Sequence, residues 1–309
     1  MLCQTPPMST PTTDGLVLVD KPVGVSSHDI VSAARRCFGE KRIGHAGTLD
    51  PFATGLLVLC AGRATRLLPH LPNDPKVYEA TMRFGRETDT EDLLGTVVRE
   101  APLPTRSALL DALPRFIGAV EQVPPAYSAK RVDGQRAYAR ARAGEAVVLK
   151  PVTIRVDRWE VLALREDAQG GVLEADVRIV CGGGTYIRSL ARDLARVVGS
   201  AAYLVALRRT RSGAFSVEHA VTLEDLREQR ATLRPALDAV PHVARQAISE
   251  DELLKIVRGI EIPAQVEGPW AALVREDRPV LVALAERRTD QPTAWWQPRV
   301  VMREVTDAP

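Results

Sequence analysis

The chain has 309 residues, 45% hydrophobic and 26% charged, enough for one large packed domain and a smaller one. Its 41 basic and 39 acidic side chains leave a net charge of +2, so bulk electrostatics make no case for a nucleic-acid partner and any such surface must be local. No run approaches the roughly 18 apolar residues of a membrane span, and Cys3, Cys37, Cys60 and Cys181 have neither disulfide nor metal-ligand spacing, as expected of a reduced, cytoplasmic protein. Residues 1–13, MLCQTPPMSTPTT, lack the basic start and apolar core of a signal peptide and read as a disordered tail. The five histidines show no zinc-binding spacing, so no metal is expected.

In chain order, residues 16–19 form an apolar strand that Pro22 and Gly24 terminate. Ser26 and Asp29 then make a capping box for a helix with Ile30, Ala33, Ala34, Cys37 and Phe38 on one face and Gly39 at its end. Residues 44–55, GHAGTLDPFATG, fit neither helix nor strand. Three glycines permit backbone angles that side chains forbid, and Pro51 disfavours helical geometry at Asp50. The apolar run at 56–60 reads as a buried strand that holds the far end of this loop, so Asp50 is a carboxylate on an anchored loop; by itself it would read as the cap of a turn.

Residues 62–68 suit a short helix closed by Pro69 and Pro72. The next strand, KVYEATMRFG at 76–85, places Tyr78, Ala80, Met82 and Phe84 on one face, where Tyr78 reads first as a core aromatic. RETDTEDLLG at 86–95 is acidic and reads as a surface loop; residues 105–113 have helical spacing that Pro114 ends. Residues 152–164 and 172–181 alternate on either side of Gly170-Gly171 as paired strands. Gly182-Gly183-Gly184 opens a helix at Thr185 and, lacking a Walker lysine, does not indicate a nucleotide cofactor. That helix has Leu190, Leu194 and Val197 as its apolar face and ends at Gly199; residues 203–211 are again a strand. After a boundary near Asp238 come a capped helix at 249–258 and short strands at 270–274, 280–285 and 299–303. Two basic clusters read as phosphate-contacting: Arg188, Arg192, Arg196, Arg208, Arg209 and Arg211, opposed only by Asp193; and Lys130, Arg131, Arg136, Arg140 and Arg142, opposed only by Asp133 and interleaved with Tyr127 and Tyr138.

GHAGTLDPFATG resembles, at every fixed position, the active-site loop GHxGxLDPxATGxL of the TruB family of pseudouridine synthases. DKPVGVSS at 20–27, KVYEA at 76–80, the acidic stretch at 86–95, PPAYSAKRVDGQRAYARARAG at 124–144, GTYIRSL at 184–190 and the LRR of 207–209 resemble the family's other motifs. Two positions depart from the pattern: Arg131 stands where lysine is usual, and glycines precede Gly184 where serine or lysine with alanine is usual. The resemblance implies an α/β (α+β) pseudouridine synthase fold, with a central mixed, mainly antiparallel sheet over residues 14–238 and a PUA-like domain at 239–309. It also implies isomerisation of uridine 55 in the T loop of tRNA by a monomer that needs no cofactor, guide RNA or membrane.

The chemistry breaks the N1–C1′ bond, turns the base and rejoins it through C5. The family likeness makes Asp50 the group that acts at C1′ as nucleophile; a covalent adduct and abstraction of a sugar proton are both open. A carboxylate beneath a base needs a cation, and Arg188 matches that partner. Tyr78 matches the residue that stacks on the base and serves in C5-proton removal; Tyr186 and Leu207 complete the pocket. His45 matches the histidine that fills the space left by the flipped uridine, and Lys21 is expected to support the loop.

Overall fold

The computed structural model describes residues 13–127, 131, 132, 135, 136, 149–288 and 294–302, with backbone alone at 131, 132, 135 and 136. The tail at 1–12, Lys130, Tyr138, Arg140, Arg142 and Arg303 therefore lie outside the described residues.

The strands are, in chain order, β1 (Gly15–Lys21), β2 (Ile43–Ala46), β3 (Thr54–Ala61), β4 (Lys76–Phe84), β5 (Arg86–Thr88), β6 (Val97–Glu100) and β7 (Gly118–Gln122). After the short pair β8 (Arg131–Val132) and β9 (Gln135–Arg136) come β10 (Val152–Glu166), β11 (Val172–Cys181), β12 (Ala202–Ser212), β13 (Phe215–Ser216), β14 (Val221–Thr222) and β15 (Arg234–Pro235). The last five are β16 (Ala244–Ile248), β17 (Ile262–Pro263), β18 (Trp270–Arg275), β19 (Leu281–Arg288) and β20 (Trp295–Val301). The α-helices are α1 (Ser27–Phe38), α2 (Arg106–Ala112), α3 (Ile187–Val197), α4 (Leu223–Arg227) and α5 (Glu250–Val257).

An eleven-stranded mixed sheet runs β14-β1-β3-β12-β4-β11-β10-β7, with β2 also on β3, β13 on β12 and β15 on β1. Most of its pairings are antiparallel. Its two halves meet where β3 runs parallel to β12, through Arg208 opposite Thr54 and Arg209 opposite Gly55. Strands β1 and β3 are apolar on both faces because both are covered. Val17, Val19, Leu57 and Leu59 point to α1 and α4, whereas Leu16, Leu18, Leu56 and Val58 join a cluster that includes Ala272, Leu281 and Leu284 of the C-terminal sheet. In the other half, Met82, Val177 and Ile179 pack with Leu190 and Leu194 of α3.

Helix α1 has the expected Ser26–Asp29 capping box and a left-handed Gly39 at its C-cap. The segment after β3 differs from expectation: it is a 3-10 helix, Gly62–His70, with Pro69 inside its last turn. In α3, Leu190 and Leu194 are buried but Val197 is exposed, since the buried face is completed by arginines.

A second sheet, β16-β18-β19-β20-β17, carries α5, the expected capped helix, whose cap is a Ser249–Glu252 box. Its core surrounds Trp296, whose Nε1 donates to Gln246 Oε1 at 2.7 Å. Sequence reading missed β16 and began the last strand four residues late. Gln246, at the middle of β16, is a polar residue in a buried position, so hydrophobic alternation does not reveal its strand.

Candidate active site

The Asp50 loop enters β3 at the joint between the two half-sheets and is held from both sides. On one side Lys21, fully buried, donates from Nζ to the carbonyls of Pro22, Val25 and Pro51 at 3.0, 2.8 and 3.3 Å. Ser27 Oγ donates to Leu49 O and accepts from Leu49 N, and Gly24 N donates to Pro51 O at 2.8 Å. On the other side Arg209, 1% exposed, donates to Gly47 O at 3.0 Å and Leu56 O at 2.8 Å. Gly55 is indispensable to this joint: its φ is +101°, and a Cβ there would lie 2.3 Å from Arg209 O. Burial pulls the Lys21 pKa down to about 8, partly opposed by Asp50 and then Asp29.

Asp50 lies in a cleft of about 370 Å³ whose walls include Tyr78, Tyr127, Tyr186, Arg188 and Leu207. One carboxylate oxygen, Oδ2, is 3.0 Å from Arg188 Nε; a third of the side-chain surface stays open. The rest of the Arg188 guanidinium is committed to Thr90 O at 2.7 Å and Tyr127 O at 3.0 Å, with Asp92 Oδ2 at 3.9 Å. Desolvation raises the Asp50 pKa; Arg188 opposes it, Asp92 reinforces it and Lys21 opposes it weakly. Tyr78, buried on β4 between β11 and β12, also has a raised pKa, through burial opposed by Arg209. Its phenol therefore stays protonated through the neutral range.

Tyr186 occupies the N-cap of α3, and buried Gln122 clasps its peptide: Tyr186 N donates to Gln122 Oε1 at 2.9 Å, and Gln122 Nε2 donates to Tyr186 O at 3.0 Å. Leu207 is buried on β12 opposite Ala80. His45 sits half-buried on β2, five residues before Asp50 and outside the lining of the cleft. Burial, then Arg209 and His28, lowers its pKa and keeps the imidazole neutral. Asp50, Tyr78, Tyr186, Arg188 and Leu207 thus converge on one cleft, while Lys21 and His45 flank it.

Two expectations are corrected. RETDTEDLLG is not a surface loop: Glu87, Thr88, Glu91 and Asp92 are buried. The first basic cluster is largely not a phosphate surface, because arginines one helical turn apart on α3 meet these acids. Arg188 approaches Asp92; Arg192 pairs with Glu91, which also accepts from Ser189 Oγ at 2.8 Å; and Arg196 Nε donates to Glu87 Oε2 at 3.1 Å. Arg208 pairs with Asp20 at 2.7 Å and Arg209 is buried under the loop, which leaves Arg211 exposed and without an ion pair among the described residues. Burial raises the pKa of Glu91 against the attraction of Arg192, and Glu91 holds a left-handed backbone at φ 61°. Such strain is tolerated where surrounding contacts over-determine it.

Sequence reading missed the roles of Gln122, Glu91, Asp92 and Arg209. The i, i+4, i+8 spacing of Arg188, Arg192 and Arg196 was a usable sign of a ladder, but its partners lie about a hundred residues upstream. No group of three or more His, Cys, Asp or Glu among the described residues is arranged to hold a metal ion. No helix among them is long and apolar enough to cross a membrane.

The site thus holds a carboxylate on one guanidinium beneath aromatic walls, at the joint of the mixed sheet, an arrangement suited to acting on a planar base. The fold agrees with that of solved structures described as a Cbf5-Nop10-Gar1 complex (TM-score 0.68, 23% identity, 94% of this chain and 86% of that one) and an H/ACA RNP bound to a substrate RNA containing 2′-deoxyuridine (TM-score 0.67, 22% identity, the same coverages). Residues 35–187 match the N-terminal domain of TruB family pseudouridylate synthase, and residues 188–261 match the tRNA pseudouridylate synthase B C-terminal domain. Proteins named tRNA pseudouridine synthase B are 44% identical in Thermobifida fusca, over 89% of this chain and 95% of that protein, and 43% identical in Mycobacterium tuberculosis, over 86% and 90%. The chain belongs to the TruB family.

Proposed function

We propose that the chain isomerises uridine 55 in the T loop of tRNA, with Asp50 as nucleophile, and that it acts in the cytoplasm as a single chain without guide RNA. The observation that carries this reading is the Asp50–Arg188 pair at the floor of the tyrosine-walled cleft, within an unbroken GHAGTLDPFATG loop. Arg188 binds Oδ2, and Oδ1 accepts no hydrogen bond among the described residues. That free oxygen attacks C1′ while the N1–C1′ electron pair leaves with the uracil. Tyr78 and Tyr186 hold the freed ring as it turns and Leu207 closes the pocket. C5 then displaces Asp50 from C1′, the C5 proton departs, and N1 gains a proton. With its pKa raised, Tyr78 passes that proton through water and its own hydroxyl without becoming a free phenolate.

His45 enters the gap left by the flipped base, a role favoured by its neutral, planar ring at the edge of the site. Lys21 fixes the loop without touching substrate. The proposed division places residues 14–238 in the catalytic unit and 239–309 in a PUA-like unit, in line with the separate C-terminal sheet.

Purified chain with no metal, nucleotide or guide RNA is expected to release tritium from C5-labelled uridine in unmodified tRNA and to place pseudouridine at position 55. Asp50→Asn is expected to abolish release while retaining tRNA binding. Binding without release by the wild type refutes the enzymatic reading; release at another position refutes the uridine 55 assignment.

A further inference from the structure

The cleft contains a third cation, Lys76, to which the chemistry above gives no task. It is at the start of β4, two residues before Tyr78, and the regular pairing of β4 with β11 puts both on the same face. The two side chains therefore leave the strand about 7 Å apart. A Cβ built on Gly47 would lie 3.9 Å from Lys76 Nζ, and one built on Gly183 would lie 3.6 Å from it. The ammonium thus reaches between the catalytic loop and the glycine turn before α3, with no side chain from either of these glycines closing the space.

The other two cations of the cleft are already engaged. Arg188 serves Asp50, Thr90 O and Tyr127 O, and Arg209 serves Gly47 O and Leu56 O. Lys76 makes no hydrogen bond or ion pair among the described residues, although it is half-buried. Asp74 acts on it electrostatically but lies beyond ion-pair distance. A desolvated ammonium with three unused N–H groups is costly unless an anion arrives. In a cleft that accepts a nucleotide, the anion at hand is backbone phosphate.

We propose that Lys76 is the phosphate-binding residue of this cleft, its ammonium taking one of the two phosphates that flank the target uridine while Tyr78 holds the base. The assignment rests on the Asp50 cleft being where uridine is isomerised. Burial and the nearby Arg209 depress the Lys76 pKa, and a bound phosphate reverses that trend. Such a contact reads no base; it sets the position of the sugar over Asp50.

The test is a chemical–genetic cycle on an unmodified T-arm stem-loop RNA, with a neutral methylphosphonate replacing the phosphate on either the 5′ or the 3′ side of the target uridine. Lys76→Gln is expected to lower kcat/KM by about 10- to 100-fold, the range for a hydrogen bond to a charged group. One methylphosphonate should cost the wild type a similar factor and cost Lys76→Gln less than twofold. Lys76→Arg, which keeps the charge, should recover most of the loss. Lys76→Gln removes an unpaired, desolvated charge and is expected to melt no lower than wild type, which separates lost contact from lost fold. The proposal is overturned if both methylphosphonates penalise Lys76→Gln as fully as wild type. If wild type fails to isomerise even the all-phosphate RNA, the reading of the cleft itself falls, and this assignment with it.

Discussion

Gly55→Ala tests how the joint between the half-sheets sets the position of Asp50. The added Cβ would lie 2.3 Å from Arg209 O, 2.8 Å from Arg209 N and 2.9 Å from Arg209 C, whereas ordinary contacts begin at 3.4 Å. All three atoms are backbone, so no side chain can turn away, and β3 and β12 must part by about 1 Å. Holding alanine at a φ of +101° adds at least the roughly 1–2 kcal/mol of a left-handed residue, and overpacking adds about 1–3 kcal/mol. The expected destabilisation is about 2–5 kcal/mol, measured as the shift in urea midpoint. Because Arg209 also grips Gly47 O and Leu56 O, the same displacement moves Asp50. A misplacement of about 1 Å costs roughly 100-fold in the chemical step, read by single-turnover tritium release. Gly24→Ala is the control: its φ is +84°, but a Cβ there meets nothing within 4 Å, so only the conformational cost applies. Equal midpoints for the two variants, or Gly55→Ala turnover within twofold of wild type, would refute the reasoning.

Arg192→Met leaves buried Glu91 without its ion-pair partner and is expected to cost about 3–5 kcal/mol, whereas Glu91→Gln leaves Arg192 its second ion pair, with Asp193, and is expected to cost less. The double variant should cost at least about 1 kcal/mol less than their sum in urea unfolding; strict additivity would show that the pair is not coupled. Lys21 has a pKa of about 8 in the fold against 10.5 for the free side chain, so its contribution to stability is full above 10.5 and is lost as pH falls through about 8. Activity follows the opposite course, because the ammonium bracing Pro51 disappears above pH 8; an alkaline fall in kcat/KM that persists unchanged in Lys21→Met would disprove this. The raised Asp50 pKa means that this carboxyl favours the fold below 3.8 and that the benefit is lost as pH rises through the folded value. Asp50→Asn should therefore unfold at an equal or higher urea midpoint than wild type at pH 7, and a lower one would show that pairing with Arg188 outweighs desolvation.

Local pattern was enough for much of this protein. Leucine and valine run through residues 16–19 of β1 and 56–59 of β3 without a polar interruption, which is legible as strands covered on both faces. Ser26, Asp29 and Gly39 bound α1 by short-range hydrogen bonds and backbone freedom, and the GHAGTLDPFATG string marked the cleft that holds Asp50. Tyr78, Tyr186, Arg188 and Leu207 were found by motif, and the structure brings them together with Asp50. Lys76 was within reach of the same reading, since it shares the period-two face of Tyr78.

Whether charged residues would lie outside or inside was not a local matter. An acidic stretch and an arginine-rich helix each look solvated when read separately; packed together, Glu87, Glu91 and Asp92 supply the counter-charges that allow Arg188 and Arg192 to be buried. Arg209 was likewise indistinguishable from a surface arginine until the β3–β12 pairing put the Asp50 loop over its guanidinium. Hydrophobic periodicity and capping act over one or two turns of chain and are written in consecutive residues. Charge pairing and desolvation are set by distances between segments far apart in the chain, and those distances exist only once the tertiary fold has brought the segments together.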